Sequence, residues 1–322
     1  MSNRRFNPFE STARPALQLL QLDLYRRAGI EVWILRLDKV HPLISGNKWY
    51  KLKYTLQDLV RRGEKRVLTF GGAYSNHVHA LAFAGQAMGI ETIGVIRGEP
   101  AYAANPTLTD ARSWGMKLEF VDRATYRSRR DPDFELQLHR RFGDFGLVAE
   151  GGFGPLGLLG CREIIAGLDG VAGFDLICVA AGTGGTLAGL LAAKPVSSRL
   201  LGFSALKGGD FLSQDIITLL QQAGEADPGG WTLQLDAHCG GYARTTPLLA
   251  AFMAAFRQKT GVTLDPVYTG KMLLRFNQMV ADGEVVPGSR VLLIHSGGLQ
   301  GLRGMEKTLY DQEHAHRGGL PL

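Results

Sequence analysis

From about residue 46 onward, apolar positions recur in two patterns that take turns along the chain. Trp49, Leu52, Leu56 and Leu59 stand at helical spacing, which predicts a helix over 47–62 that Gly63 stops. Residues 66–70 form a short β-rich run and predict a strand. Gly71-Gly72 marks a turn, Ser75 is placed to cap a helix over 76–88, and Gly89 ends it. The same reading gives strands over 91–96 and 117–121, the second preceded by a helical stretch. It then gives a helix over 155–168, a continuous apolar strand over 174–181, a helix over 187–193 and a strand over 200–206. An Ala-rich helix over 246–259, a strand over 290–295 and a helix over 299–309 complete the pattern.

Strands alternating with helices predict an α/β chain with mostly parallel sheets and helices on both faces. In such folds a ligand sits beyond the carboxyl ends of the strands. That rule selects three strand-to-helix loops, Gly71 to Asn76, Gly182 to Thr186 and Ser296 to Gly298, all rich in Gly, Ser and Thr. Residues 51–155 hold a βαβα run of their own. The expected organisation is therefore a smaller domain over 51–155, inserted in a larger one made of 1–50 and 156–322. Leu176 to Ala193 carries no charge, but the glycine loop at its centre would break a spanning helix. A buried strand, a loop and a buried helix are expected there rather than a membrane span.

Composition sharpens this picture in three places. Forty-two glycines in 322 residues, with no three-residue period, point to many tight loops and not to collagen. The net charge of +6 is carried by basic runs that are short, interrupted by acids and free of interleaved aromatics. This argues for a small anionic ligand over nucleic acid. Three widely spaced cysteines, Cys161, Cys178 and Cys239, make neither a disulfide framework nor a zinc pattern, and suit a reducing cytoplasm. Met1 to Pro8 is polar and has no apolar core of a secretory leader.

The candidate chemistry lies in the selected loops. Gly182-Thr183-Gly184-Gly185-Thr186 follows an apolar strand and opens a helix. Its backbone amides can approach an anion closely, which makes a phosphate cradle. Leu187 stands where a dinucleotide fingerprint needs its third glycine, and no P-loop lysine motif occurs. Ser45-Gly46-Asn47-Lys48 puts a lysine at the start of an amphipathic helix, whose positive end disfavours the ammonium form. A Schiff-base lysine needs that bias. Gly71 to His77 sets small donors at a second helix start, suited either to a substrate carboxylate or to an ordinary cap. A hydrolase nucleophile elbow is not supported, because Gly202-Phe203-Ser204-Ala205-Leu206 lacks its last glycine. No metal site is expected. His77 and His79 are not at the spacing that places two ligands on one helical face, and His314 and His316 read as part of a tail.

Together these motifs resemble the pyridoxal-phosphate (PLP) family of 1-aminocyclopropane-1-carboxylate deaminase and D-cysteine desulfhydrase. The resemblance runs from about His41 to Gly301. It is carried by Ser45 to Leu52, Gly71 to His77, Pro155 to Gly157, Gly182 to Thr186, Leu264 to Lys271 and His295 to Gly298. It implies fold type II, with two open, mostly parallel sheets flanked by helices. It implies that Lys48 holds PLP covalently, that Asn76 bonds the cofactor's phenolic oxygen, and that Gly182, Thr183, Gly184, Gly185 and Thr186 bind its phosphate. Ser75, with neighbouring backbone amides including those of Asn76 and His77, would hold the substrate carboxylate. Tyr268 would contact the substrate, and Thr269 and Ser296 would lie near the pyridine nitrogen. The family usually carries Arg where this chain has Tyr50, which leaves substrate identity open.

The deaminase has a glutamate where this chain has Thr269, and the desulfhydrase type has small hydroxyls at both positions near the ring nitrogen. A carboxylate there keeps the nitrogen protonated and the ring strongly electron-withdrawing, and a hydroxyl does so weakly. The expected function is therefore a PLP-dependent lyase or deaminase acting on a small amino acid, with D-cysteine giving pyruvate, sulfide and ammonia. Lys48 or Ser75 would be the base. The alternatives are the cyclopropane deaminase and, from another class, a PLP-binding protein without significant catalysis. The resemblance also implies a homodimer.

Overall fold

The computed structural model describes residues 7–10, 14–316 and 318–322. Met1 to Phe6, where a leader was sought, lies outside the described residues. The strands are β1 Ala16–Leu19, β2 Glu31–Arg36, β3 Arg66–Gly72, β4 Glu91–Arg97, β5 Lys117–Val121, β6 Gly146–Val148, β7 Leu176–Ala181, β8 Arg199–Ser204, β9 Trp231–Gln234 and β10 Arg290–His295. The helices are α1 Asp23–Arg27, α2 Asn47–Arg61, α3 Asn76–Met88, α4 Pro106–Ser113, α5 Arg123–Arg127, α6 Pro132–Phe142, α7 Pro155–Ala166, α8 Gly185–Leu191, α9 Leu212–Gln222, α10 Pro247–Thr260, α11 Thr269–Ala281 and α12 Glu306–Ala315.

Two sheets result. A six-stranded one has the order β1-β2-β10-β7-β8-β9, with only the edge strand β1 antiparallel. A four-stranded, wholly parallel one has the order β5-β4-β3-β6. The α/β class and its two mostly parallel sheets are thus as expected. The strands of the small sheet all fall between residues 66 and 148, and those of the large sheet all fall outside that range.

Alternation along β10 explains why its middle, Val291 to Ile294, is apolar at every position. Leu292 and Ile294 enter the cluster that also takes in α2, α7 and α8. Val291 and Leu293 point the opposite way, to α10 and α11. Side chains of a strand alternate between faces, so a strand covered on both faces must be apolar at every position. On the small sheet, Leu68, Phe70, Ile93 and Val95 form a separate cluster with Tyr126 and Leu138.

Several boundaries differ from the expectation. The strands β1 and β2 lie upstream of residue 46, where no pattern was read. The helix expected over 187–193 starts two residues earlier, at Gly185, inside the glycine loop. The span 299–309 is not one helix. It is a tight 3-10 turn over Leu299–Gly304 followed by α12, and His314 therefore sits on a helix rather than in a tail.

The helix α2 packs its buried face, Trp49, Leu52, Leu56 and Leu59, into the cluster shared with α7. Tyr50 is buried in the same cluster from another side of the helix and meets Trp49 edge-on at 5.0 Å. Leu56 is fully buried. We expect Leu56→Ala to cost about 2–5 kcal/mol in urea unfolding. A loss below about 1 kcal/mol would show that α2 is not a core element.

Candidate active site

Parallel pairing brings the carboxyl ends of β3, β7 and β10 to the loops selected above, and α2 enters among them. His41 prepares that entry: its Nδ1 accepts from the backbone N–H of Leu43 (3.1 Å) and Ile44 (2.9 Å). Gly46 follows at φ +67°, where a side-chain carbon would lie 1.9 Å from the Ser296 carbonyl oxygen. Glycine is needed there for both the left-handed backbone and the close approach. The next amide, Asn47 N–H, donates to Ser296 O at 3.0 Å. Asn47 Nδ2 also donates to Thr186 Oγ1 at 2.8 Å, tying α2 to the glycine loop.

Lys48 is then held where these elements meet, with Nζ donating to Asn47 Oδ1 at 3.2 Å. Its pKa is lowered to about 7, first by burial and then by the Lys51 ammonium. The direction is the one expected from the sequence, but its causes are burial and a second lysine. Lys48 lines a cavity of about 630 Å³, within the usual range for a small-molecule site.

Ser75, Asn76, His77, Gly182, Thr183, Gly184, Thr186, Tyr268 and Ser296 line the same cavity. Gly185 and Thr269 do not form part of its wall. Thr269 is fully buried one layer behind Ser296, with the two hydroxyls 3.3 Å apart. Ser75 caps α3 by accepting from Val78 N–H at 3.3 Å while also facing the cavity. The two readings of that serine, cap and ligand, are therefore compatible. Tyr50 is not on the wall.

His77 is buried. Thr69 Oγ1 donates to the Val148 carbonyl at 2.6 Å, so it accepts from His77 Nε2 at 2.9 Å. This fixes the tautomer with Nδ1 unprotonated, and Nδ1 has no partner among the described residues. Burial, with Lys48 and Lys51 adding to it, holds the imidazole pKa well below its ordinary value, so His77 is neutral.

Four supporting residues were not singled out from the sequence. Asp265 is buried, and its carboxylate accepts from the backbone N–H of Val267, Tyr268 and Thr269 at 3.0, 2.7 and 2.8 Å. It thereby caps α11 and sets the backbone that aims Tyr268. Tyr268 meets Tyr242, which also lines the cavity, at 3.4 Å between hydroxyls, and burial pushes the Tyr268 phenol well up. Lys271 donates to the carbonyls of His238 (2.8 Å) and Gly241 (2.7 Å), fixing the loop that carries Tyr242. Lys51 is buried on the cavity wall with its pKa lowered, chiefly by burial. A side-chain carbon at Gly185 would lie 3.2 Å from its Nζ, so this ammonium stands at the glycine loop. No cluster of metal-ligating side chains occurs among the described residues.

Residues 13–297 match the family described as pyridoxal-phosphate dependent enzyme. The chain belongs to that family. Its cofactor is PLP. Among its relatives is the mitochondrial bifunctional D-cysteine desulfhydrase/1-aminocyclopropane-1-carboxylate deaminase of Arabidopsis thaliana, 29% identical over 85% of this chain and 74% of the relative. Another is the D-cysteine desulfhydrase of Yersinia enterocolitica, 28% identical over 90% of this chain and 92% of the relative. The solved structure of a 1-aminocyclopropane-1-carboxylate deaminase homologue superposes with a TM-score of 0.83 at 27% identity. That match covers 97% of this chain and 100% of the other. The fold is accordingly type II.

The donor set of this PLP enzyme suits the cofactor. The nest of amides around Gly184, at φ +81°, and the Lys51 ammonium match a phosphate. A neutral lysine amine and an asparagine amide match an aldehyde and a phenolic oxygen. We expect Lys51→Met to weaken PLP binding about 10- to 100-fold in reconstitution of the cofactor-free protein. An unchanged affinity would place the phosphate away from Lys51.

The Lys48 pKa has a stability consequence. It lies near 7 in the folded protein against 10.5 ordinarily, so between these values the unfolded chain binds more protons. The contribution of this group to stability therefore rises with pH across that window. In cofactor-free protein, Lys48→Met should flatten the rise in urea unfolding measured from pH 7 upward. A slope identical to that of the unaltered protein would contradict the low pKa.

Proposed function

We propose that this PLP enzyme removes a β-substituent from a small amino acid, with D-cysteine and water giving pyruvate, sulfide and ammonia as its reaction. The observation that carries the choice is the Thr269–Ser296 pair. Ser296 lines the cavity where the family resemblance puts the ring nitrogen, and the Thr269 hydroxyl backs it 3.3 Å behind. Neither keeps that nitrogen protonated as a carboxylate would. Expelling a thiolate, a good leaving group, demands less electron withdrawal than opening a cyclopropane ring. The names of the relatives include both activities and favour neither, so the choice rests on this pair of hydroxyls.

When bound, PLP supplies an electrophilic carbon for the substrate amine and a sink for the electrons freed at the α-carbon. The protein supplies the rest. Gly182 to Thr186 and Lys51 hold the phosphate. Ser75 and the amides at the start of α3 hold the substrate carboxylate. Lys48, an amine with a pKa of about 7, takes the α-proton, because near neutral pH much of it carries a free electron pair. Tyr268 and Tyr242 close the substrate side, and their phenols, with pKa values raised, remain protonated donors at neutral pH.

Three unpaired cysteines suit work in a reducing cytoplasm, and among the described residues no helix is long and apolar enough to cross a membrane. A homodimer belongs to the same proposal, and light scattering of the purified protein tests it.

The reaction is tested by turnover on D-cysteine, L-cysteine, D-serine, β-chloroalanine and the cyclopropane amino acid. We expect kcat/KM on D-cysteine to exceed that on the cyclopropane acid by about tenfold or more, roughly 1.4 kcal/mol of transition-state stabilisation. The reverse order would establish the deaminase instead. Thr269→Glu should move the ratio toward ring opening. A folded variant with an unchanged ratio would refute the argument from electron demand.

A further inference from the structure

Asn76 faces the cavity with an amide that could turn either way. One orientation offers the NH2 group to a ligand and the other offers the carbonyl, and these act oppositely on an anionic oxygen. In the structure Gln300, in the turn that follows the Ser296–Gly298 loop, meets the carbonyl side of that amide. Its Nε2 donates to Asn76 Oδ1 at 2.5 Å, and its Oε1 accepts from Thr107 Oγ1 at 2.8 Å. Among the described residues the Thr107 hydroxyl has no other partner, and the side chain is buried.

Both ends of this chain of bonds are anchored. Thr107 sits in the first turn of α4. Just before that turn, Asn105 Nδ2 donates to the Ala73 carbonyl at 3.0 Å, joining α4 to the loop that carries Ser75 and Asn76. Arg303 Nη2 donates to Asp110 Oδ2 at 2.5 Å, joining the Gln300 turn to the same helix. On the other side of Asn76, Nδ2 faces Gly298, where a side-chain carbon would lie 2.6 Å away and φ is +87°. Nothing among the described residues accepts from Nδ2.

We propose that Gln300 and Thr107 form a positioning relay that turns the Asn76 amide so that its NH2 group meets the phenolic oxygen of PLP. The proposal rests on the reading of Asn76 as the partner of that oxygen. The relay stabilises the ionised oxygen, because a donor is held toward it and the repelling carbonyl is held away. Loss of the relay frees the amide to rotate. Gln300→Glu inverts the relay, since a carboxylate can only accept and would draw the NH2 group to itself.

The test reads the absorption of PLP-loaded protein, which distinguishes the yellow form with an ionised phenolic oxygen from the near-ultraviolet form with a neutral one. Gln300→Leu and Gln300→Glu should both move absorbance from the yellow to the near-ultraviolet band, Glu more than Leu. Each should also weaken PLP binding by about tenfold. Thr107→Val should give the same shift in smaller measure, and Thr107→Ser, which keeps the hydroxyl, should restore the parent spectrum. The threonine pair carries the test alone if a Gln300 variant fails to fold, as its melting temperature will show. Asn76→Ala separates the two levels of the argument. If Asn76→Ala shifts the spectrum and neither the Gln300 variants nor Thr107→Val does, the relay is wrong and the role of Asn76 stands. If Asn76→Ala leaves the spectrum unchanged, the reading of Asn76 is wrong and the relay falls with it.

Discussion

The approach of α2 to the loop after β10 governs the geometry of the cavity. At Gly46 the two backbones are too close for any side chain, and the Asn47 amide bonds the Ser296 carbonyl. Asn47 then reaches Thr186 at the glycine loop. One turn of helix is thus fixed to the ends of two parallel strands at once. Lys48 and Ser296 owe their relative positions to this contact, and misplacement by about 1 Å in such a site can cost about a hundredfold in rate. His295 braces the same loop from beneath. Its Nε2 donates to the Thr263 carbonyl at 2.8 Å and its Nδ1 accepts from Gly297 N–H at 3.1 Å.

That junction also shapes the electrostatics. Lys48 and Lys51 are three residues apart on α2 and therefore neighbours on one face. Both line the cavity, and burial lowers both. Lys51 stands at the glycine loop, where the proposed function places the phosphate, and its charge helps keep Lys48 neutral. In the proposed function, the residue for the anion and the residue that needs a free amine are thus coupled through one helical turn. A neutral His77 beside them adds no further positive charge.

Much of this was legible in the sequence, for a physical reason. Strands buried on both faces are apolar at every position, so β7 and β10 stood out, and the loops at their ends stood out for small residues. Edge elements did not. The strand β1 has only four residues, and β9 pairs on one side alone. The helix α11 was hidden because its first residues were read as a motif rather than as a helix start, and the capping carboxylate of Asp265 precedes it by several positions. The supporting side chains were unreadable because their partners are distant along the chain: Asn47 with Thr186, Lys271 with Gly241, Gln300 with Asn76. The low pKa of Lys48 was foreseen from the helix end alone. Its causes, burial and Lys51, appear only when α2 is seated in the cavity wall.

The central claim is that Lys48, a half-buried amine on the cavity wall with a depressed pKa, is the covalent anchor of PLP. It is tested most directly by the absorption spectrum of the purified protein before and after borohydride, with the reduced protein then mapped by peptide mass spectrometry. The account predicts a visible band that borohydride abolishes, leaving a pyridoxyl label on Lys48. A label on Lys51 in its place, or a protein that stays colourless when PLP is added, would contradict it.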